Sequence, residues 1–276
     1  MPLKDILVHL DASGRSAARL DIAIALAQRH GAHLTGLYVL DVPVPTSVVP
    51  DAGGAGVAML YEQLRTSGLQ GAAEIERRFD DRLRREGIIG TWRLVEGLTA
   101  DQVARHGRYA DLVILGQDDP DAGSRVLEAA IFATGRPVLA IPFAGEFPAI
   151  GRRVLVGWNE SREATRAVHD AMPLLIAAEA VTVLAVNPPE GLDGDSEGPA
   201  ADLARHLARH GVKATAEHVV APEVPDGEAL LNAAAEAGAD LLVVGAYGHS
   251  RLRELVMGGV SRTLLRSMTL PVLLSH

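Results

Sequence analysis

Solid apolar runs alternate along this chain with stretches in which apolar positions recur every three or four residues. The runs include Asp5-Ile-Leu-Val-His-Leu10, His33-Leu-Thr-Gly-Leu-Tyr-Val39, Asp111-Leu-Val-Ile-Leu115 and Pro137-Val-Leu-Ala-Ile141. Continuous hydrophobicity of this kind suits strands buried on both faces of a parallel sheet. Between the runs, Ser16 to His30 places Leu20, Ile24 and Ala27 on one helical face. Strands alternating with helices predict βαβ units and an α/β class.

The pattern then repeats itself. Ile6-Leu-Val-His-Leu-Asp-Ala-Ser13 returns as Val154-Leu-Val-Gly-Trp-Asn-Glu-Ser161, Asp111-Leu-Val-Ile-Leu-Gly116 as Asp240-Leu-Leu-Val-Val-Gly245, and Pro137-Val-Leu-Ala-Ile141 as Pro271-Val-Leu-Leu-Ser275. Order is kept while spacing changes, so a whole domain is duplicated. Strands are expected near 5–10, 33–40, 90–96, 111–116 and 137–142, and again near 152–157, 180–186, 213–219, 240–245 and 271–275. The reading is two tandem doubly wound, five-stranded parallel-sheet domains of the Rossmann-like or flavodoxin-like kind, over 1–145 and 150–276, with a Gly/Pro linker in 143–151. The extra length of the first copy falls at Pro43 to Gly56, a Pro/Gly-rich flap that leads into a charged, solvent-facing amphipathic helix ending near Gly87.

Composition narrows the function classes. Apolar residues make up 48% of the 276, ample for two cores, and charged residues 22%, which argues against disorder. Lys+Arg 26 against Asp+Glu 35 gives a charge of −9, which opposes nucleic-acid binding. With no cysteine, disulfide frameworks, thiolate zinc sites and Cys nucleophiles are excluded. No apolar stretch reaches membrane-spanning length and no signal-peptide pattern opens the chain, so a soluble cytoplasmic protein is expected, with no membrane partner.

In open parallel sheets ligands sit beyond the carboxyl ends of the strands, where strand order reverses. The informative loops therefore follow strands one and four of each copy. In the second copy the latter reads Gly245-Ala-Tyr-Gly248-His249-Ser-Arg251-Leu-Arg253-Glu-Leu-Val-Met-Gly258-Gly259-Val260-Ser261. A glycine closing a buried strand allows a tight turn at positive φ, and a second allows backbone N–H groups to approach a ligand. Gly-Gly-Val-Ser then opens a helical pattern whose N-terminal N–H groups favour an anion.

Gly245-x2-Gly248-x9-Gly258, the Asp11/Asn159 position after strand one, the Pro-led fifth strands and the duplication together resemble the universal stress protein family, over nearly the whole chain. The resemblance implies an adenine-nucleotide alpha-hydrolase-like fold and a site for ATP or ADP. In that site glycines and the following hydroxyl hold phosphates and ribose, the strand-one carboxylate meets the nucleoside, and backbone after strand two reads adenine. On this chain those roles fall to Asn159, Val186, Gly245, Gly248, Gly258, Val260 and Ser261, with Mg²⁺ neutralising the phosphates. The chain departs from the family at Gly259, where Ser or Thr is expected, and at Asn159, where Asp is expected. One lost hydrogen bond to phosphate costs about 1.5–3 kcal/mol, roughly 10- to 100-fold in affinity. Ser261 and Arg251 or Arg253 are placed to compensate; His249, Gly259 and Arg251 join the candidate site on these grounds.

The first copy keeps Asp11 but follows Gly116 with Gln117-Asp118-Asp119-Pro120-Asp121, where carboxylates replace the spaced glycines. A like charge about 5 Å away costs on the order of 3 kcal/mol before screening. One nucleotide per chain is the expectation, with the first copy a structural partner. Other signals have plainer readings. Asp11 and Asn159 also suit a helix start, and Ser13 and Ser161 suit caps better than nucleophiles. Gly53 to Gly56 reads as a flexible loop, and His206 and His210, four apart beside Arg205 and Arg209, as a solvated helix face. No residue is assigned to a resident metal. No base, nucleophile and oxyanion donor stand together, so the role reads as regulatory, with at most a very slow ATPase. The alternative is a dimeric, non-nucleotide-binding interaction module of the stress response with a protein partner. A homodimer and an intramolecular pseudo-dimer are both open at this point.

Overall fold

The computed structural model describes residues 2–42, 54–118, 126–188, 198–247 and 259–276. Its first half runs β1 (Asp5–His9), α1 (Ser16–His30), β2 (His33–Leu40), α2 (Gly54–Glu86), β3 (Gly90–Glu96), α3 (Thr99–Gly107), β4 (Leu112–Gly116), α4 (Val126–Ala133) and β5 (Val138–Ile141). The second half repeats the order with β6 (Arg153–Gly157), α5 (Arg162–Ala177), β7 (Ala180–Val186), α6 (Gly198–Arg209), β8 (Ala214–Val219), α7 (Asp226–Glu236), β9 (Leu241–Gly245), α8 (Gly259–Ser267) and β10 (Val272–Ser275). No helix among the described residues is long and apolar enough to cross a membrane.

All strands lie in one ten-stranded sheet, in the order β3-β2-β1-β4-β5-β10-β9-β6-β7-β8. Pairing is parallel within each half. The halves meet through an antiparallel β5·β10 pair, with Val138 opposite Leu274, Leu139 opposite Leu273 and Ala140 opposite Val272. These two strands are wholly buried. In an isolated domain each would be a bare apolar edge, a template for aggregation; pairing them satisfies both edges and gives the chain an internal near-twofold. Because strand side chains alternate between faces, two cores result, and each crosses the junction. Ile6, Val8, Leu139, Val154, Val156 and Leu273 lie in one, and Leu7, Val138, Ala140, Leu155, Val272 and Leu274 in the other.

One element departs from expectation. Gly54 and Gly56 open α2 instead of lying in a loop; Pro43 to Gly53 fall outside the described residues. With 33 residues α2 is about 50 Å long. Its distal half is not purely solvent-facing either, because it buries Phe79 and Leu83 against the first core. That packing anchors the helix, and cooperative propagation carries it back through glycines that cost about 1 kcal/mol each.

Candidate functional site

Each half has a point where strand order reverses. β1 pairs with β2 on one side and β4 on the other, and β6 likewise with β7 and β9. Chains leave the two central strands toward opposite faces, which opens a crevice at their carboxyl ends.

In the second half the loop after β6 is organised by Asn159. Its Oδ1 accepts from the Ser161 amide at 3.2 Å and hydroxyl at 2.7 Å, and Ser161 Oγ accepts from Ala164 N–H at 3.1 Å, capping α5. Val186 ends β7 and leads into Asn187, whose Oδ1 accepts from Ala221 N–H at 2.7 Å and whose amide donates to Asp226 at 2.9 Å. Gly245 ends β9, but its φ is not positive. A Cβ there would lie 2.3 Å from the Ala164 nitrogen and 2.4 Å from the Glu163 carbonyl carbon. Gly245 is therefore glycine because the first turn of α5 rests on it, which corrects the expectation of a left-handed turn residue. The left-handed residue is Tyr247, at φ 65°. Gly259 and Val260 form the first turn of α8; Gly259 is exposed, and no described atom lies within 4 Å of where its Cβ would be. Ser261 is buried, and its Oγ accepts from Tyr247 N–H at 3.1 Å. Asn159, Val186, Gly245, Val260 and Ser261 thus stand on the loops and helix start around one crevice. Gly248, His249, Arg251, Arg253 and Gly258 lie outside the described residues.

Three described non-glycine residues have left-handed backbone: Glu160 (58°), Asn187 (46°) and Tyr247 (65°). They follow β6, β7 and β9, the strands whose ends frame the crevice. Each such residue costs on the order of 1–3 kcal/mol, less for Asn, and such strain concentrates at binding sites. The sequence gives no sign of it.

The first half keeps a cleft of about 630 Å³ at the matching place, but its floor is built differently. Arg19 is 4% exposed. Its Nη2 lies 2.6 Å from Asp11 Oδ2, its Nε donates to His9 O at 3.1 Å, and its guanidinium abuts Gly116, where a Cβ would meet Nη1 at 2.4 Å. In the repeat register Asp11, His9 and Arg19 correspond to Asn159, Gly157 and Ala167, so the second half has no arginine at the position of Arg19, and the first turn of α5 closes onto Gly245 instead. Burial alone would raise the Asp11 pKa; Arg19, the Ser13 hydroxyl and amide, and His9 outweigh it and hold the carboxyl below its ordinary range. Burial and Arg19 push His9 down to about 4, so its ring is neutral near pH 7.

Around that floor stand Arg15, Asp41, Asp101 and Asp118. Arg15 Nη2 donates to Gly145 O at 2.6 Å, Asp41 accepts from the Thr99 amide and hydroxyl, and Asp118 accepts from Leu127 N–H at 3.2 Å, at the start of α4. Asp119, Pro120 and Asp121 are outside the described residues. Sequence reasoning weighed only the acidic loop and missed Arg19. The available signal was an arginine on the apolar side of α1 where the repeat has alanine.

His206 lies with its ring 4.9 Å from His210 and 6.2 Å from His169. Among the described residues no group of His, Cys, Asp or Glu is arranged to hold a metal ion.

The family model described as the universal stress protein family matches residues 2–129 and 151–276. Among solved structures, a universal stress protein from Archaeoglobus fulgidus is 16% identical, with 98% of this chain and 95% of that one covered, at TM-score 0.75. A functionally unknown protein from Pseudomonas aeruginosa is 17% identical, with 99% and 92% covered, at TM-score 0.63. At these identities the likeness shows the fold alone. No curated protein matches the sequence.

Proposed function

The chain belongs to the universal stress protein family, and from that premise we propose that it is a cytoplasmic stress-response protein whose second domain binds ATP or ADP. The observation that carries this reading is the ring of strained backbone at Glu160, Asn187 and Tyr247, found among the described residues only around the second crevice. Strain of that kind points to a ligand site; the spacing Gly245-x2-Gly248-x9-Gly258 and the N-terminus of α8 supply the phosphate chemistry. Asn159, Val186, Val260 and Ser261 are the described members of the site, with His249, Arg251 and Mg²⁺ countering phosphate charge. The role is regulatory. Among the described residues, Ser161 Oγ caps α5 and Ser261 Oγ takes the Tyr247 N–H, so these two hydroxyls serve the scaffold rather than a nucleophilic step. The β5·β10 pair supports an intramolecular pseudo-dimer as the working unit.

The first domain is read as empty of nucleotide. Its Arg19 is neutralised by Asp11 and packed on Gly116, and further carboxylates of Asp41, Asp101 and Asp118 line the cleft. Calorimetry with Mg-ATP on the intact chain is expected to give one site. Two equivalent sites would overturn the asymmetry. Acid extraction of the purified protein is expected to release an adenine chromophore, whereas an interaction module without nucleotide would release none.

Gly259→Ser tests the phosphate assignment from the other side. Its Cβ meets no described atom within 4 Å, so the change should leave the described fold unperturbed while placing a hydroxyl at the start of α8. Mg-ATP affinity should rise about 10-fold, the lower end for one hydrogen bond to a charged group. Unchanged affinity in titration would show that no phosphate lies there.

A further inference from the structure

Tyr247, the residue that leads from β9 into the glycine-bearing stretch, packs against the other domain. Its ring centroid is 4.3 Å from that of Phe132 on α4, with His276 edge-on to Phe132 at 4.8 Å. Burial, together with the carboxylates of Glu128 and Asp118, both from the first domain, raises the Tyr247 pKa and keeps its phenol protonated. The Tyr247 N–H reaches Ser261 Oγ on α8, and the preceding Ala246 N–H reaches Ser275 O on β10 at 2.8 Å.

The first domain also holds the far end of α8. The Gln117 side-chain amide donates to Leu265 O at 2.9 Å and Arg266 O at 3.0 Å, while its Oε1 accepts from Phe143 N–H at 2.8 Å. Residue 247 and helix 259–267, the two ends of the connection that carries the motif, are therefore both fastened to the first domain. A left-handed tyrosine persists only where its surroundings impose it, and here the surroundings include Phe132.

We infer that the first domain is a positioning module for its sister: Phe132 and Gln117 hold Tyr247 and α8 in the arrangement that receives nucleotide. This rests on the nucleotide reading above. Neither residue belongs to the second crevice, so each acts through Tyr247 or α8. Coupling of this kind is reciprocal, and bound nucleotide should in turn tighten the junction.

The test uses the full chain with Phe132→Ala, Phe132→Tyr and, as a surface control, Tyr109→Ala. Phe132 is 46% exposed and Tyr109 78%, so all three variants should fold. Hydrogen exchange without nucleotide should show the Tyr247 amide exchanging faster in Phe132→Ala and unchanged in the other two. Mg-ATP affinity should fall about 3- to 10-fold in Phe132→Ala, the range expected for one aromatic pair, and be retained in Phe132→Tyr. Unchanged exchange in Phe132→Ala overturns the tether. Faster exchange with unchanged affinity overturns the positioning role. If the parent chain itself fails to bind Mg-ATP, the nucleotide reading falls and the affinity effect with it, and the exchange experiment alone decides the tether.

Discussion

Gly245→Ala should destabilise the protein by about 3 kcal/mol and take the proposed nucleotide binding down with it. The added Cβ meets backbone, not a side chain that can turn aside: the Ala164 nitrogen at 2.3 Å, the Glu163 carbonyl carbon at 2.4 Å and the Ala164 Cα at 2.8 Å. Relief requires moving the first turn of α5 away from the sheet, and that turn is fixed by the Ser161 cap and by buried Ala164, Ala167 and Val168. Overpacking against a fixed neighbour typically costs about 1–3 kcal/mol, and backbone puts this site at the upper end. Two comparisons make the result interpretable. Gly116→Ala, at the same place in the first domain, meets the end of the Arg19 side chain and should cost less. Gly259→Ala meets no described atom within 4 Å and should stay within about 0.5 kcal/mol of the parent. Urea unfolding of the three variants checks the order, and equal midpoints for Gly245→Ala and Gly259→Ala would contradict it.

Acidification should weaken the fold through His9. Its pKa is lowered from near 6.5 to about 4, first by burial and then by the Arg19 charge, with Asp11 opposing. The unfolded chain takes up a proton near pH 6.5, whereas the folded chain refuses it until about pH 4. Stability present above pH 6.5 is therefore lost as pH falls across that window. The full effect is up to about 3 kcal/mol, an upper figure because the His9 side chain also borders the cleft. His30 and His106 are lowered too, chiefly by burial, and act with the same sign. Below that window Asp11, held down mainly by Arg19, adds a further loss as its carboxyl protonates. Urea unfolding at a series of pH values should show the decline, and His9→Gln should flatten the part between 6.5 and 4. A decline of the same size in His9→Gln would remove His9 as its cause.

These effects rest on residues of different legibility. The elements could be read directly, because buried parallel strands announce themselves as solid apolar runs and helices as a three-to-four spacing. Ser16–His30, His33–Leu40 and Gly90–Glu96 stand where the pattern put them, and the duplication follows from residue order alone. The phosphate cradle proposed for the second crevice rests on glycine spacing, since such a cradle would constrain residue type along a short stretch of chain. What each glycine does was not legible. Gly245 owes its identity to α5, and that close approach comes from a segment about eighty positions away. The same holds for Arg19, whose charge is unremarkable in a helix until its guanidinium is found between Asp11 and Gly116. Pairing of β5 with β10, and of Tyr247 with Phe132, lies further beyond the sequence. The β5·β10 register joins residues more than 130 positions apart in chain order. Periodicity along the chain records which face of an element is buried; only the assembled sheet decides what is buried against it.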